Sequence, residues 1–194
     1  MPNDEKHRFA MKIAIGITGA SGAIYARLVL ERLLSAPEVE HIYLIYSDTA
    51  RDVAAFEGEA MPSDPRIEVL DNSDLFSPVA SGSSCCDAMI VVPCSVGTLA
   101  RIACGTAQTL LERAADVMLK ERRRLVLVVR EAPYSLIHLR NMTTVTEAGG
   151  IVLPASPSFY SHPSDIGALC MTVVERALSI AGVDIPRFEW NGRG

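Results

Sequence analysis

Basic charge, long apolar runs and cysteine are all scarce in this chain, and each scarcity removes a class of function. The 18 Lys and Arg residues stand against 23 Asp and Glu, a formal net charge of −5. Nucleic-acid binders are usually basic overall, so no nucleic-acid partner is expected. No apolar run nears the roughly 20 residues of a membrane-spanning helix, so no membrane partner is expected either. The charged opening, residues 1–8, lacks the apolar core of a secretory signal. Residues 1–10 read as a flexible tail, residues 11–194 as a single domain, and the chain as cytoplasmic. Five cysteines, Cys85, Cys86, Cys94, Cys104 and Cys170, are too few and odd in number for a disulfide scaffold. The Cys85-Cys86 pair lacks C-x-x-C spacing and has no His within 30 residues on either side. Buried small side chains explain it better than a metal site. Trp190, the lone tryptophan, reads as a hydrophobic latch or an interface residue.

What the chain does have is apolar material for a full core, 49% of its residues, laid out in alternating periods. Residues 12–18, 41–47, 88–93, 125–130 and 151–154 are short β-branched runs, with a weaker one at 66–70. The runs at 88–93 and 125–130 are continuously apolar, as strands covered on both faces should be. Between them, residues 21–35, 49–57, 95–104, 107–123, 135–148 and 165–181 carry helical spacing, with Gly105, Gly149-Gly150 and Gly182 as stops. Strands alternating with helices predict an α/β fold: a Rossmann-like (flavodoxin-like), three-layer, doubly wound, mainly parallel sheet. In such sheets ligands bind beyond the carboxyl ends of the strands.

The residues just past those ends are rich in glycine and hydroxyls. Gly16-Ile-Thr-Gly19-Ala20-Ser21-Gly22 follows the first strand and opens a helix, which suits a phosphate or the edge of a ring; a packing turn is the plainer alternative. The G-x-x-G-x-x-G spacing, with Asp48 after the second strand, also admits a nicotinamide dinucleotide, but there is no Tyr-x-x-x-Lys for that chemistry. Ser95-Val96-Gly97-Thr98 forms a second hydroxyl-rich helix start, with Ser47 as a third contact; ordinary capping by Ser95 is the rival reading. Arg113, Asp116, Lys120 and Arg124 fall on one helical face, which usually means a solvated, salt-bridged stripe. Arg130-Glu131 closes the 125–130 strand. Lys120, Arg130, Arg176 and the Tyr160 hydroxyl suit a phosphate dianion, and Glu131 suits proton transfer. His162 reads as a loop residue and His138 as a helix-surface residue.

At Thr18-Gly-Ala-Ser-Gly22, Ala80-Ser-Gly-Ser-Ser84, Pro93-Cys-Ser-Val-Gly-Thr-Leu99, Leu111-Glu-Arg-Ala-Ala-Asp-Val117, Leu119-Lys-Glu-Arg-Arg123, Leu125-Val-Leu-Val-Val-Arg-Glu-Ala-Pro133 and Phe159-Tyr160 the chain resembles the flavin prenyltransferases of the UbiX family. The strings run in family order over about residues 11–190. The resemblance implies a metal-independent enzyme that joins the dimethylallyl group of dimethylallyl monophosphate to N5 and C6 of reduced FMN. The prenylated FMN would serve a UbiD-type decarboxylase. It also implies a homododecamer with active sites at subunit contacts. Carried over by motif, Gly19, Ala20, Ser21, Ser47, Ser95, Val96, Gly97, Thr98 and Arg130 would contact FMN. Lys120, Arg130, Tyr160 and Arg176 would hold the prenyl phosphate, with Arg113 near the site. Glu57 would lie beside the reacting prenyl group, and Glu131 would move a proton. Leu75, with Phe76 beside it, stands where many relatives carry an aromatic residue. Related flavin-dependent cysteine decarboxylases are the rival class, with a His where this chain has Val79; a non-catalytic flavin carrier is the other.

Overall fold

The computed structural model describes residues 10–83 and 86–188. The expectations for the first nine residues, Cys85 and Trp190 therefore lie outside the described residues. Six strands form one sheet: β1 (Met11–Ile17), β2 (Val39–Tyr46), β3 (Ile67–Leu70), β4 (Ala88–Cys94), β5 (Arg124–Val129) and β6 (Ile151–Pro154). Their order is β3-β2-β1-β4-β5-β6, and every pairing is parallel. This is the expected Rossmann-like order, with the direction of winding reversing between β1 and β4, where a crevice opens beyond the strand ends.

The central strands are buried on both faces, and their side chains alternate between two cores. Ile13, Ile15 and Ile17 of β1, Ile90 of β4 and Val126 and Val128 of β5 meet α1 (Ala23–Ser35) and α6 (Ile166–Ala181). Ala14, Met89, Val91, Leu125 and Leu127 meet α3 (Val96–Ala103), α4 (Leu110–Lys120) and α5 (Leu136–Glu147). Each large buried side chain contributes about 1.5–3 kcal/mol. The short α2 (Ala50–Phe56) follows β2, and a single 3-10 turn, Pro78–Ala80, precedes β4. No helix among the described residues is long and apolar enough to cross a membrane.

Local chemistry sets the helix starts. Asp165 accepts from the Ala168 N–H at 2.8 Å to open α6, and Thr109 with Glu112 forms a capping box on α4. His138 lies on the surface of α5 as expected and also belongs to a second such box: its Nδ1 accepts from the Ser135 N–H at 3.1 Å. The expected stripe on α4 is broken at its end. α4 stops at Lys120, Arg122 takes a positive φ of 55°, and Arg124 begins β5. Its guanidinium instead bonds the carbonyl of Ala181 at 3.1 Å. Cys86 is buried, and burial lifts its thiol to about 11, consistent with a packing role.

Candidate active site

Because all strands run one way, their carboxyl ends share one edge, and the expected loops meet there. Gly22 precedes α1 in the left-handed region, φ 110°, and α1 has no cap from a neighbouring side chain in its own turn. Glu57, just past α2, supplies one. Its carboxylate accepts from the Gly22 N–H at 3.0 Å, from the Ala23 N–H at 2.7 Å and from the Ser21 hydroxyl. Burial alone would raise the pKa of this carboxyl. The Ser21 hydroxyl and the two N–H groups, helped by the charge of Arg130, outweigh burial and hold it below its ordinary value. The expectation of a phosphate cradle at this turn is corrected on that ground: the donors at the start of α1 already serve an acid. A ring edge resting over Gly19, Ala20 and Ser21 is still compatible. A Cβ at Gly19 would lie 2.0 Å from Thr49 Oγ1, so a larger residue there would have to turn that exposed hydroxyl aside.

Glu57→Gln follows as a test of this cap. An amide has one acceptor where the carboxylate has two, and loss of this partly exposed pairing, weakened by solvent, should lower stability by about 0.5–1 kcal/mol at neutral pH in urea unfolding. The folded pKa is depressed, so the carboxylate's contribution is complete above its ordinary value of 4.5. It is lost as pH falls through the lower folded value. The gap between wild type and variant should therefore close in acid.

The second loop is tied to the first. Thr18 Oγ1 donates to the Pro93 carbonyl at 2.7 Å and accepts from the Ser95 N–H at 2.8 Å. Ser95 Oγ caps α3 by accepting from the Thr98 N–H at 3.2 Å. The Ser47 N–H donates to the Ile17 carbonyl at 2.9 Å. Between these loops lies a polar cleft of about 350 Å³ lined by Gly19, Ser47, Thr49, Ser95, Thr98 and Arg101, among others. Asp48 is an exposed residue of its lining.

Arg130 follows β5, its N–H bonded to the Cys94 carbonyl at 3.1 Å. Its charge acts on Glu57 and on Tyr25, whose phenol burial pushes up to about 12. Glu131 adjoins it, half-buried, with Oε1 accepting from the Ala132 N–H at 2.9 Å. Ser21, Glu57, Arg130 and Glu131 thus stand at the same edge as the cleft.

The other basic residues stand elsewhere in the chain. Lys120 ends α4 at the opposite edge of the sheet, paired with Glu121; β5 alone separates it from Arg130 by about 20 Å. Arg113 pairs with Asp116 at 2.6 Å and donates to the Ala80 carbonyl at 3.0 Å. Arg176 lines a separate 260 Å³ cavity beside Leu153 and Ser158, at the β6 edge. Tyr160 is exposed in a neighbouring groove with Pro157, Phe159 and His162. The expectation that Lys120, Arg130, Tyr160 and Arg176 share one pocket is therefore not met within one chain.

The lining also holds residues that sequence reasoning missed. Asn72 receives the N–H of Leu110 on its carbonyl at 2.8 Å and that of Leu111 on Oδ1 at 3.0 Å. Thr49, Gln108 and Arg101 share the cleft. The Thr109-x-x-Glu112 spacing was a legible cap signal; Arg101 carried no signal in sequence.

Comparison with known proteins is decisive at this point. The Flavoprotein family pattern matches residues 2–179. A flavin prenyltransferase UbiX of Thermoplasma acidophilum is 43% identical over 181 residues, covering 89% of this chain and 96% of that protein. The chain belongs to the UbiX flavin prenyltransferase family. Its fold matches other UbiX structures closely. A crystal structure of AnUbiX in complex with FMN and dimethylallyl pyrophosphate has a TM-score of 0.83 at 42% identity, covering 95% of this chain and 99% of that one. A dodecameric FMN-dependent UbiX-like decarboxylase from Escherichia coli O157:H7 has a TM-score of 0.86 at 39% identity, covering 94% and 100%. In this UbiX-family chain Val79 is 1% exposed within the core, which leaves no histidine of the cysteine-decarboxylase kind at that position.

Proposed function

We propose that the protein joins the dimethylallyl group of dimethylallyl monophosphate to N5 and C6 of reduced FMN. The product would be prenylated FMN for a UbiD-type decarboxylase. The observation that supports this reading is that Ser21 and Glu57 meet within reach of the charge of Arg130, with Glu131 next in the chain, at the same carboxyl edge of the sheet that carries the polar cleft. The cleft fits FMN: its volume is in the range of small-molecule sites, its lining offers hydroxyls and N–H groups, and Gly19 keeps its wall flat. Bound reduced flavin supplies nucleophilic N5 and C6 and a π-face for a developing allylic cation.

The chain's own groups do the rest. Gly19, Ala20 and Ser21 line the ring edge, and Ser47 with Ser95, Val96, Gly97 and Thr98 holds the other end of the flavin. Arg130 neutralises charge on the departing phosphate without any metal, and Glu131 takes the proton lost when the ring closes. Lys120, Arg113, Tyr160 and Arg176 complete the phosphate pocket from neighbouring copies of the chain. The separation of their positions from Arg130, and the dodecamer of the similar E. coli protein, support that arrangement. So does α5, which turns Leu136, Ile137 and Leu139, with Tyr134 before it, to the outside. Thiols that are free throughout the described residues suit a cytoplasmic enzyme.

The test is direct. Purified protein, reduced FMN and dimethylallyl monophosphate, mixed without oxygen, should give a flavin heavier by one C5 unit in mass spectrometry. Absence of that mass with both the monophosphate and the pyrophosphate would leave only a flavin-binding protein.

A further inference from the structure

The flavin reading leaves open what the cleft recognises at its polar end, and the inference here rests on that reading. At the first turn of α3 the N–H groups of Val96 and Gly97 have no hydrogen-bond partner among the described residues, while that of Thr98 is held by Ser95 Oγ. Arg101, one turn later, folds back to the same spot. Its Nη2 donates to Thr98 Oγ1 at 3.2 Å, and its Nη1 lies 3.5 Å from where a side chain on Gly97 would begin. Its Nε donates to the carboxylate of Glu112.

Glu112 is unusual for an acid in having a side chain only 3% exposed. Its carboxylate also accepts from the N–H groups of Gln108 at 3.1 Å and Thr109 at 3.2 Å. Held by three donors across its two oxygens, it fixes the guanidinium plane and leaves Nη1 facing the turn. A guanidinium held in this way has less rotamer entropy left to lose when an anion arrives. Arg101 is also the one cationic side chain in the lining among the described residues.

We propose that Arg101, clamped by Glu112, reads the terminal phosphate of the flavin and makes the cleft select a phosphorylated flavin over riboflavin. FMN and riboflavin share the ring and ribityl chain and differ only in that group. A charge-assisted, forked contact together with two N–H donors at a helix start is the arrangement that separates them.

Titration of the full-length protein with FMN and with riboflavin, followed by quenching of flavin fluorescence, tests this. Wild type should prefer FMN by about tenfold or more. Arg101→Ala should weaken FMN binding about 10- to 30-fold and move riboflavin binding less than about twofold, so the preference collapses. Arg101→Lys, which keeps the charge and loses the fork, should recover part of the preference. The ratio of the two affinities does not depend on the folded fraction, so a merely structural role would leave it unchanged. Equal weakening of both ligands, no weakening of either, or a wild type that does not discriminate would overturn the proposal and leave the flavin reading standing. A wild type that binds neither flavin would overturn both.

Discussion

Glu131→Gln should slow formation of the prenylated product by about 100-fold or more while FMN binding changes less than about twofold. Glutamine is nearly isosteric and keeps an oxygen for the Ala132 N–H, which Glu131 Oε1 accepts at 2.9 Å, but it cannot take a proton. Closing a ring at C6 of the flavin requires that proton to leave. The group sits beside Arg130 at the strand edge, half-buried, where a base can be reached by substrate without disturbing the core. Anaerobic single-turnover mixing with mass detection measures the rate, and flavin fluorescence measures binding. An unchanged rate would assign the proton to the departing phosphate. Equal loss of rate and binding would make Glu131 a binding residue.

Lys120→Ala should be as damaging, because a cation that offsets charge in the transition state is typically worth about two to three orders of magnitude in rate. Its distance from Arg130 within one chain makes a sharper experiment available. Lys120→Ala and Glu131→Gln chains, each nearly inactive alone, should regain activity when refolded or expressed together. If a site draws Glu131 from one copy and Lys120 from another, random mixing gives about a quarter of sites with both native residues. Activity near that fraction of wild type is the expected result. No regain would mean that Lys120 and Glu131 serve a site from the same copy, since in-chain partners cannot be exchanged by mixing.

Much of the fold was legible because the signals that make it are local. The apolar run of β4 has the continuity of a doubly covered strand, and Gly149, at φ 98°, ends α5 as its position suggested. The same locality explains the misread end of α4. Helical spacing continues in sequence as far as Arg124, but a positive φ at Arg122 turns the backbone two residues earlier.

The site was legible in a different way. Ser95, Thr98 and Arg130 follow strands, so topology alone directs attention to them. The role of Glu57 as the cap of α1 depends on contact between residues 34 and 35 apart in sequence, and no periodicity encodes such a contact. Arg101 looks like any charge on a solvated helix until α4 passes beside it and brings in Glu112. Lys120 and Arg176 belong to the right motif strings, but a string does not say which edge of the sheet a residue will reach.

The outward side of α5 bears on how the enzyme endures stress. Leu136, Ile137 and Leu139 are 60%, 68% and 47% exposed on a lone chain, an oily strip that water disfavours by about 25 cal/mol for each Å². If copies of the chain meet through that strip, pulling them apart by dilution or chaotrope would uncover it at once, and dissociation and clumping would run together. Recovery after stress, rather than a melting midpoint, is then the meaningful gauge of durability, and a lasting single-copy form would first need that helix rewritten in polar residues.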